Sequence, residues 1–226
     1  MCIRDRVVGS PFESPKDIWV VEDSSSLCRY AAKNRMALLC LHSMDKRGMA
    51  VPRDYLEKLG INYSQALDLV VRVSDTFEKS GVDYAFFKSL RPYPEATVDV
   101  DILVFGSDYG KALEAMSGAG YLRLETGPLS ATFRDPVSGL GVDIHDEVGV
   151  SHLIYLDKDR LTGSVMGCEV SDGCFVRTLS PAADLLAVMA HSVLKEQMYV
   201  LSEYYTTLFY LYADNRGTVL GSLREV

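Results

Sequence analysis

Residues 84–105 read YAFFKSLRPYPEATVDVDILVF, and this run decides the architecture. Tyr84 to Phe87 is a short apolar stretch, the pattern of a strand, and Lys88-Ser89 opens a polar turn after it. Pro92 and Pro94 each fix φ near −65° and lack an N–H, so the next segment is an extended loop rather than a helix. From Thr97 to Phe105 the residues alternate as a second strand. Neighbours two apart on a strand share a face, so Val98, Val100 and Ile102 point one way and Asp99 and Asp101 the other. Two carboxylates so placed repel each other unless a cation lies between them. Mg²⁺ takes oxygen ligands at about 2.0–2.1 Å, often one or two carboxylates plus substrate phosphates. The same alternation describes a half-exposed strand with a solvated polar face, and taken alone the pair fits both readings.

A third carboxylate follows about forty residues on, in GVDIH (141–145). Val142 and Ile144 point one way, Asp143 and His145 the other. If this strand lies beside the first, Asp143 completes a cluster of three able to hold two metal ions about 3.5–4 Å apart. His145 reads as a packed partner of Asp143.

Working outward, residues 62–81 form the clearest amphipathic helix. Ala66, Leu69, Val70, Val73 and Phe77 fall on one side, and Gly81 sits where a C-terminal cap belongs. Residues 24–44 read as one helix after a serine-rich start, and residues 50–61 as a short helix stopping at Gly60. Residues 106–121 give a loop and a helix. Three strands follow at 121–125, 130–135 and 141–148, the last two joined by the turn PVSG. Residues 165–179 read as a hairpin turning at Asp172-Gly173. Ser180-Pro181 then opens a long helical stretch over 182–212. Helices come first, a mixed sheet in the middle and helices last, so the expected class is α+β: a small mixed β-sheet flanked by N-terminal and C-terminal helices.

Met1–Arg6 (MCIRDR) has no periodicity and no apolar core of the 7–15 residues a signal peptide needs. It reads as translated sequencing adapter and is set aside. The expected division is then 7–81, an N-terminal helical segment, 82–178, an α/β core, and 179–226, a C-terminal helical segment.

The chain has 226 residues, of which 48% are hydrophobic and 24% charged, the balance of a globular protein. Its net charge of −8 argues against a general phosphate-backbone surface, which needs a surplus of Lys and Arg. No apolar run approaches the ~20 residues that span a bilayer. Of the 5 cysteines, Cys2 lies in the excluded string. Cys28, Cys40, Cys168 and Cys174 form no C-x-x-C pair, so they read as buried thiols of a cytoplasmic protein, without zinc or a disulfide partner.

The elements FFKSLRPYPEATVDVDILV and GVDIH together resemble the uncharacterised nucleotidyltransferase branch of the DNA-polymerase-beta-like nucleotidyltransferase superfamily. The likeness extends to RYAAKNRMALLCLHSM and to LSPAADLLAVMAHSVLKEQMYVLSEYYTTL, and so covers most of residues 25–212. It implies an enzyme that moves a nucleoside monophosphate from an NTP such as ATP to an acceptor hydroxyl, using Mg²⁺ or Mn²⁺ and releasing pyrophosphate. It also implies that Asp99, Asp101 and Asp143 hold metal, and that Asp143 helps activate the nucleophile. Lys88 and Ser89 match the turn that approaches the phosphates, with Arg91 in the same loop. Acceptors implied are a protein side chain, a small molecule or an RNA end. One departure stands out: that turn usually carries glycine, and here it is Lys88-Ser89. This favours a competing reading, a nucleotide-binding or toxin–antitoxin partner module that does not turn over. His191 and Lys195, one helical turn apart, read as helix surface, and Tyr199, Tyr204, Tyr205, Tyr210 and Tyr212 as packing.

Overall fold

A computed structural model describes residues 24–171 and 173–213. The adapter-like string Met1–Arg6 and the turn residue Asp172 lie outside the described residues. The side chain of Tyr212 lies outside them too.

Among the described residues, three helices precede the sheet: α1 (Ser24–Lys33), α2 (Ala37–Lys46) and α3 (Arg53–Ser80). Residues 24–44 are therefore two helices, not the one expected. The break has a local cause. Asn34 Nδ2 donates back to the Tyr30 carbonyl at 2.9 Å, and Arg35 adopts a φ of 57°, a left-handed conformation that cannot continue a right-handed helix. The turn folds α2 back so that Cys28 and Ala31 pack on Cys40, Leu41 and Met44.

Helix α3 runs for 28 residues straight through Gly60, where a stop was expected. An interior glycine costs only about 1 kcal/mol relative to alanine. The buried stripe Ala66, Leu69, Val70, Val73 and Phe77 holds the rest of the helix in place. Gly81 does end it, in the left-handed conformation at φ 64°, with Val82 N–H bonded to the Phe77 carbonyl. A Cβ on Gly60 would meet nothing within 4 Å. Gly60→Ala is therefore expected to raise stability by about 0.5–1 kcal/mol and the melting temperature by roughly 1–4 °C. A calorimetric scan showing a lower melting temperature would mean that the helix needs a glycine there.

The sheet is built from β1 (Tyr84–Phe86), β2 (Asp99–Val104), β3 (Leu122–Thr126), β4 (Ser130–Arg134), β5 (Gly141–His145), β8 (Val165–Ser171) and β9 (Cys174–Leu179). Their spatial order is β3-β4-β5-β2-β1-β9-β8. β2 pairs with β5 in parallel, and β1 with β9 in parallel, while the other neighbours are antiparallel. The fold is thus the mixed-sheet α+β class expected. The hairpins β4–β5 and β8–β9 fall where the turns at 136–139 and near 173 placed them. Helix α4 (Tyr109–Gly118) lies between β2 and β3. A separate hairpin, β6 (Val148–Val150) with β7 (Leu153–Leu156), and the short helix α5 (Lys158–Thr162) were not expected. Its turn passes through Ser151 at φ 55° without a glycine, so the chain carries no turn signal there.

Two apolar layers sandwich the sheet. Tyr84, Phe86, Val100, Ile102, Val104, Val142 and Ile144 pack with Leu69, Val73 and Phe77 of α3 and Met116 of α4. On the opposite face, Ala85, Phe87, Leu103 and Phe105 pack with Leu161, Leu179, Ala183 and Ala187. The alternation of β2 places Asp99 and Asp101 on this second face, just before Leu103 and Phe105.

The C-terminal run is not one helix. Ser180 caps α6 (Pro181–Ala190), its hydroxyl accepting from Ala183 N–H. A π-helical turn spans His191–Lys195, Gln197 takes a φ of 51°, and α7 (Leu201–Ala213) begins afresh. The break lets α7 fold back along α6, with Tyr210 and Leu211 against Ala182 and Leu185. Among the described residues no helix is long and apolar enough to cross a membrane. Cys28, Cys40, Cys168 and Cys174 are all free thiols.

Candidate active site

The parallel pairing of β2 with β5 sets Asp101 directly opposite Asp143. Both side chains line one cavity with Asp99, and so do Lys88, Ser89, Arg91, His191 and Lys195. Ligand atoms of Asp101, Asp143 and His145 all lie within 4.8 Å of one another. Asp99 shares the cavity without belonging to that tighter group.

Each carboxylate has its own environment. Asp101 Oδ1 accepts from Lys88 Nζ at 3.0 Å, and His145 Nε2 lies 2.9 Å from the same oxygen. A carboxylate oxygen only accepts, so that nitrogen carries the hydrogen. The partner of His145 is therefore Asp101, not Asp143 as expected; the parallel register brings the ring back across the strand boundary. Burial opposes ionisation of Asp101. The Lys88 ammonium and the His145 hydrogen bond outweigh it and hold the carboxyl well below the usual carboxylate range. Asp143 Oδ1 accepts from the Thr132 hydroxyl at 2.6 Å, across the β4–β5 pairing. Asp99 is pushed up, first by burial and then by the charges of Asp101 and Asp143. Among the described residues, neither Asp99 nor Asp143 has an ion-pair partner, whereas Asp101 has Lys88.

The Lys88-Ser89 turn grips β2. Ser89 Oγ accepts from Asp101 N–H at 2.7 Å and donates to the Phe87 carbonyl at 3.2 Å. Lys88 itself has a φ of 61°, the left-handed conformation that favours glycine. The backbone geometry of a glycine turn is present, on a residue that keeps its side chain. Its N–H donates to Asp184 Oδ1 at 2.6 Å. Asp184 Oδ2 in turn accepts from the Tyr210 hydroxyl at 2.9 Å. Asp184 joins the turn to α6 and α7, and sequence reasoning missed it. An acidic residue in the first turn of a helix is ordinarily explained by the helix dipole alone. Its partner lies 96 residues away in sequence.

Arg91 is not a solvated arginine. Its side chain is 9% exposed, with Nε 3.5 Å from Glu95 and Nη2 4.0 Å from Glu203. Nη1 is buried without a hydrogen-bond partner. Such an orphan donor is costly unless something else occupies it. His191 and Lys195 were expected on a helix surface, yet both face the cavity because the π-helical turn redirects them. His191 is pushed down to about 3 by burial and by the charges of Lys88 and Lys195. Its ring is therefore neutral, and Nδ1, 3.3 Å from Lys88 Nζ, accepts. Tyr205 packs edge-on against Tyr93, whereas Tyr204 is half exposed.

A second cavity, of about 360 Å³, shares Arg35, Glu95, Thr97 and Asp99 with the first. Tyr55, Leu59, Leu38 and Ala32 give it an apolar wall. The carboxylate donor set suits a hard divalent cation. Asp143, in the tight group with Asp101 and His145, and Asp99, which lines the same cavity, could both contribute to holding it.

No family model matches the chain, and no curated protein matches it in sequence. Solved structures do match. The lincosamide antibiotic adenylyltransferase LnuA is similar at a TM-score of 0.44 and 15% identity, over 61% of this chain and 91% of that one. An antigenic nucleotidyltransferase-like protein from Paracoccidioides brasiliensis is similar at 0.45 and 12%, over 71% and 86% of the two chains. The antibiotic-resistance factor ANT(2'')-Ia is similar at 0.50 and 10%, over 72% of this chain and 91% of that one. With the carboxylate-bearing strands at the centre of its mixed sheet, the chain has a nucleotidyltransferase-type fold.

Proposed function

We propose that this chain is a nucleotidyltransferase, with residues 82–178 as its catalytic core and the flanking helices closing the site. It would move a nucleoside monophosphate from an NTP to an acceptor hydroxyl. The observation that carries this reading is the single cavity that Asp99, Asp101 and Asp143 share with Lys88, Arg91 and Lys195. Arg91 lines it with its guanidinium held between Glu95 and Glu203. An acidic cluster alone has no use for these cations beside it; an anionic phosphate at the cluster does.

The acceptor oxygen would form its bond to the α-phosphorus while the bond to the β-phosphate breaks and pyrophosphate leaves. Asp143 holds one oxygen against the Thr132 hydroxyl, which orients the other to take the acceptor's proton. Arg91 and Lys195, which line the cavity, would bind phosphate oxygens, and Ser89 fixes the height of Asp101 by accepting from the Asp101 N–H. Mg²⁺ or Mn²⁺, held by Asp99 and Asp143, would supply charge neutralisation for the phosphates and the incoming hydroxyl. The 360 Å³ cavity meeting Asp99 suits a small acceptor with an apolar body better than an RNA end.

The test is pyrophosphate release from labelled NTPs with Mg²⁺ or Mn²⁺, with candidate acceptors added in turn. Metal-dependent release, stopped by EDTA, is the expected result. A second reading, nucleotide binding without turnover, is favoured by the ammonium already seated on Asp101. Calorimetry showing NTP binding and no release would select it. No binding of any NTP would overturn both.

A further inference from the structure

The least expected group in the cavity is the Lys88 ammonium. Its side chain is 7% exposed, and Nζ lies 3.0 Å from Asp101 Oδ1, 3.3 Å from His191 Nδ1 and 4.6 Å from the Phe87 ring centroid. A partly exposed lysine ordinarily keeps its charged head in water; here the head is drawn inward onto a carboxylate cluster. The backbone is strained to put it there. A side-chain-bearing residue in the left-handed region costs roughly 1–2 kcal/mol, and such strain persists where the surroundings over-determine it. Asp184 supplies that restraint through the Lys88 N–H. Ser89 supplies more by linking the turn to Asp101 N–H.

We infer that the Lys88 ammonium is a tethered cation standing in for one of two divalent ions. It occupies the Asp101 end of the cluster and leaves room for a single divalent ion on the Asp99–Asp143 side. This rests on the metal-dependent reading above. Charge supports it. Three carboxylates, one ammonium and one divalent ion cancel, whereas a second divalent ion would leave the pocket with two surplus positive charges before any phosphate arrived. Position supports it too. Asp101 Oδ1 already receives two hydrogens, from Lys88 and His145. A divalent ion on that oxygen would have to displace both and leave the buried ammonium without its carboxylate, and one on Oδ2 would sit against the ammonium's charge. His191, neutral and accepting, fixes the ammonium from the other side. The device gives the site one permanent positive charge that cannot be chelated or diluted away.

The experiment counts Mn²⁺ bound per chain, titrating the whole protein with Mn²⁺ alone and reading the free ion by electron paramagnetic resonance. Lys88→Met is expected to bind one more Mn²⁺ than the wild type, or to bind it about ten-fold tighter. Lys88→Gly, which removes the ammonium and suits the left-handed turn, keeps the test open if Lys88→Met does not fold. Equal count and affinity in wild type and a folded variant would overturn the inference and leave metal-dependent transfer standing. No Mn²⁺ bound by any of them, at any concentration reached, would overturn both.

Discussion

Asp143→Asn is expected to lower nucleotidyl transfer by about 10³-fold while leaving the protein as stable as the wild type. The two halves of that result have separate causes. Activity falls because the amide neither binds a hard cation as a carboxylate does nor takes the acceptor's proton. Stability holds because, among the described residues, Asp143 has no cationic side-chain partner to strand. Its one described side-chain bond comes from the Thr132 hydroxyl, and an amide oxygen accepts that equally well. Asp99 is pushed up partly by the Asp143 charge, so removing the charge relieves repulsion. Asp101→Asn, by contrast, is expected to cost stability. Lys88 and Asp101 are 7% and 18% exposed in their side chains. Breaking a buried pair from one side costs roughly 3–5 kcal/mol because the remaining charge is left without a partner. The partial exposure of Asp101 puts the expected loss near the lower figure, about 3 kcal/mol. Pyrophosphate release with urea unfolding on both variants checks the contrast. Full activity in Asp143→Asn would end the proposed role of that carboxylate. Equal stability in Asp101→Asn would show that Lys88 finds another partner at no cost.

These differences arise from position in the sheet, and that position was partly legible in the chain. The period of two in Val98–Val104 and Val142–His145 assigns the aspartates to a face without any knowledge of the fold. What alternation does not give is which strands are neighbours. The parallel β2–β5 pairing, with α4, β3 and β4 between them in sequence, brings Asp101 opposite Asp143. Capping and turn chemistry were legible where a single residue carries them: Gly81, Ser180-Pro181 and the turn at 136–139. They failed where a non-glycine residue takes the left-handed conformation. Arg35, Ser151 and Gln197 all do so, and each breaks or turns the chain at a place with no glycine to announce it. Lys88 belongs with them: the turn looked altered for want of glycine, yet its backbone has the glycine-like conformation. The same gap hid the roles of His191 and Lys195, since the π-helical turn that aims them at the cavity leaves no mark in apolar periodicity. Asp184 was hidden for another reason. Its partners come from distant parts of the chain, and a hydrogen bond across that separation has no local signature.

Asp184→Ala should be strongly destabilising, and Asp184→Asn nearly silent. Asp184 is 3% exposed and accepts from the Lys88 N–H at 2.6 Å and the Tyr210 hydroxyl at 2.9 Å. Alanine leaves both buried donors without an acceptor, at about 1–3 kcal/mol each. The expected loss is about 3 kcal/mol, or roughly 6–12 °C in melting temperature. The carboxylate's charge does not account for that loss. Burial pushes the Asp184 carboxyl up in spite of the Arg91 charge and its hydrogen bonds, so ionising it in the folded state is unfavourable. Asparagine keeps an oxygen for the Lys88 N–H and a polar group for the Tyr210 hydroxyl, which can accept as well as donate. It also sheds the buried charge. The sign with pH follows. A folded pKa above the unfolded one penalises the wild type only where the group is ionised. Any advantage of Asp184→Asn is therefore present at neutral pH and closes as pH falls toward the ordinary aspartate value of about 3.9. Thermal unfolding of both variants across that range separates hydrogen bonding from charge. If alanine and asparagine destabilise equally, the charge rather than the two hydrogen bonds holds the turn. If alanine is silent, the left-handed Lys88 is held by the Ser89 contacts alone, and the ammonium's place on Asp101 does not depend on α6.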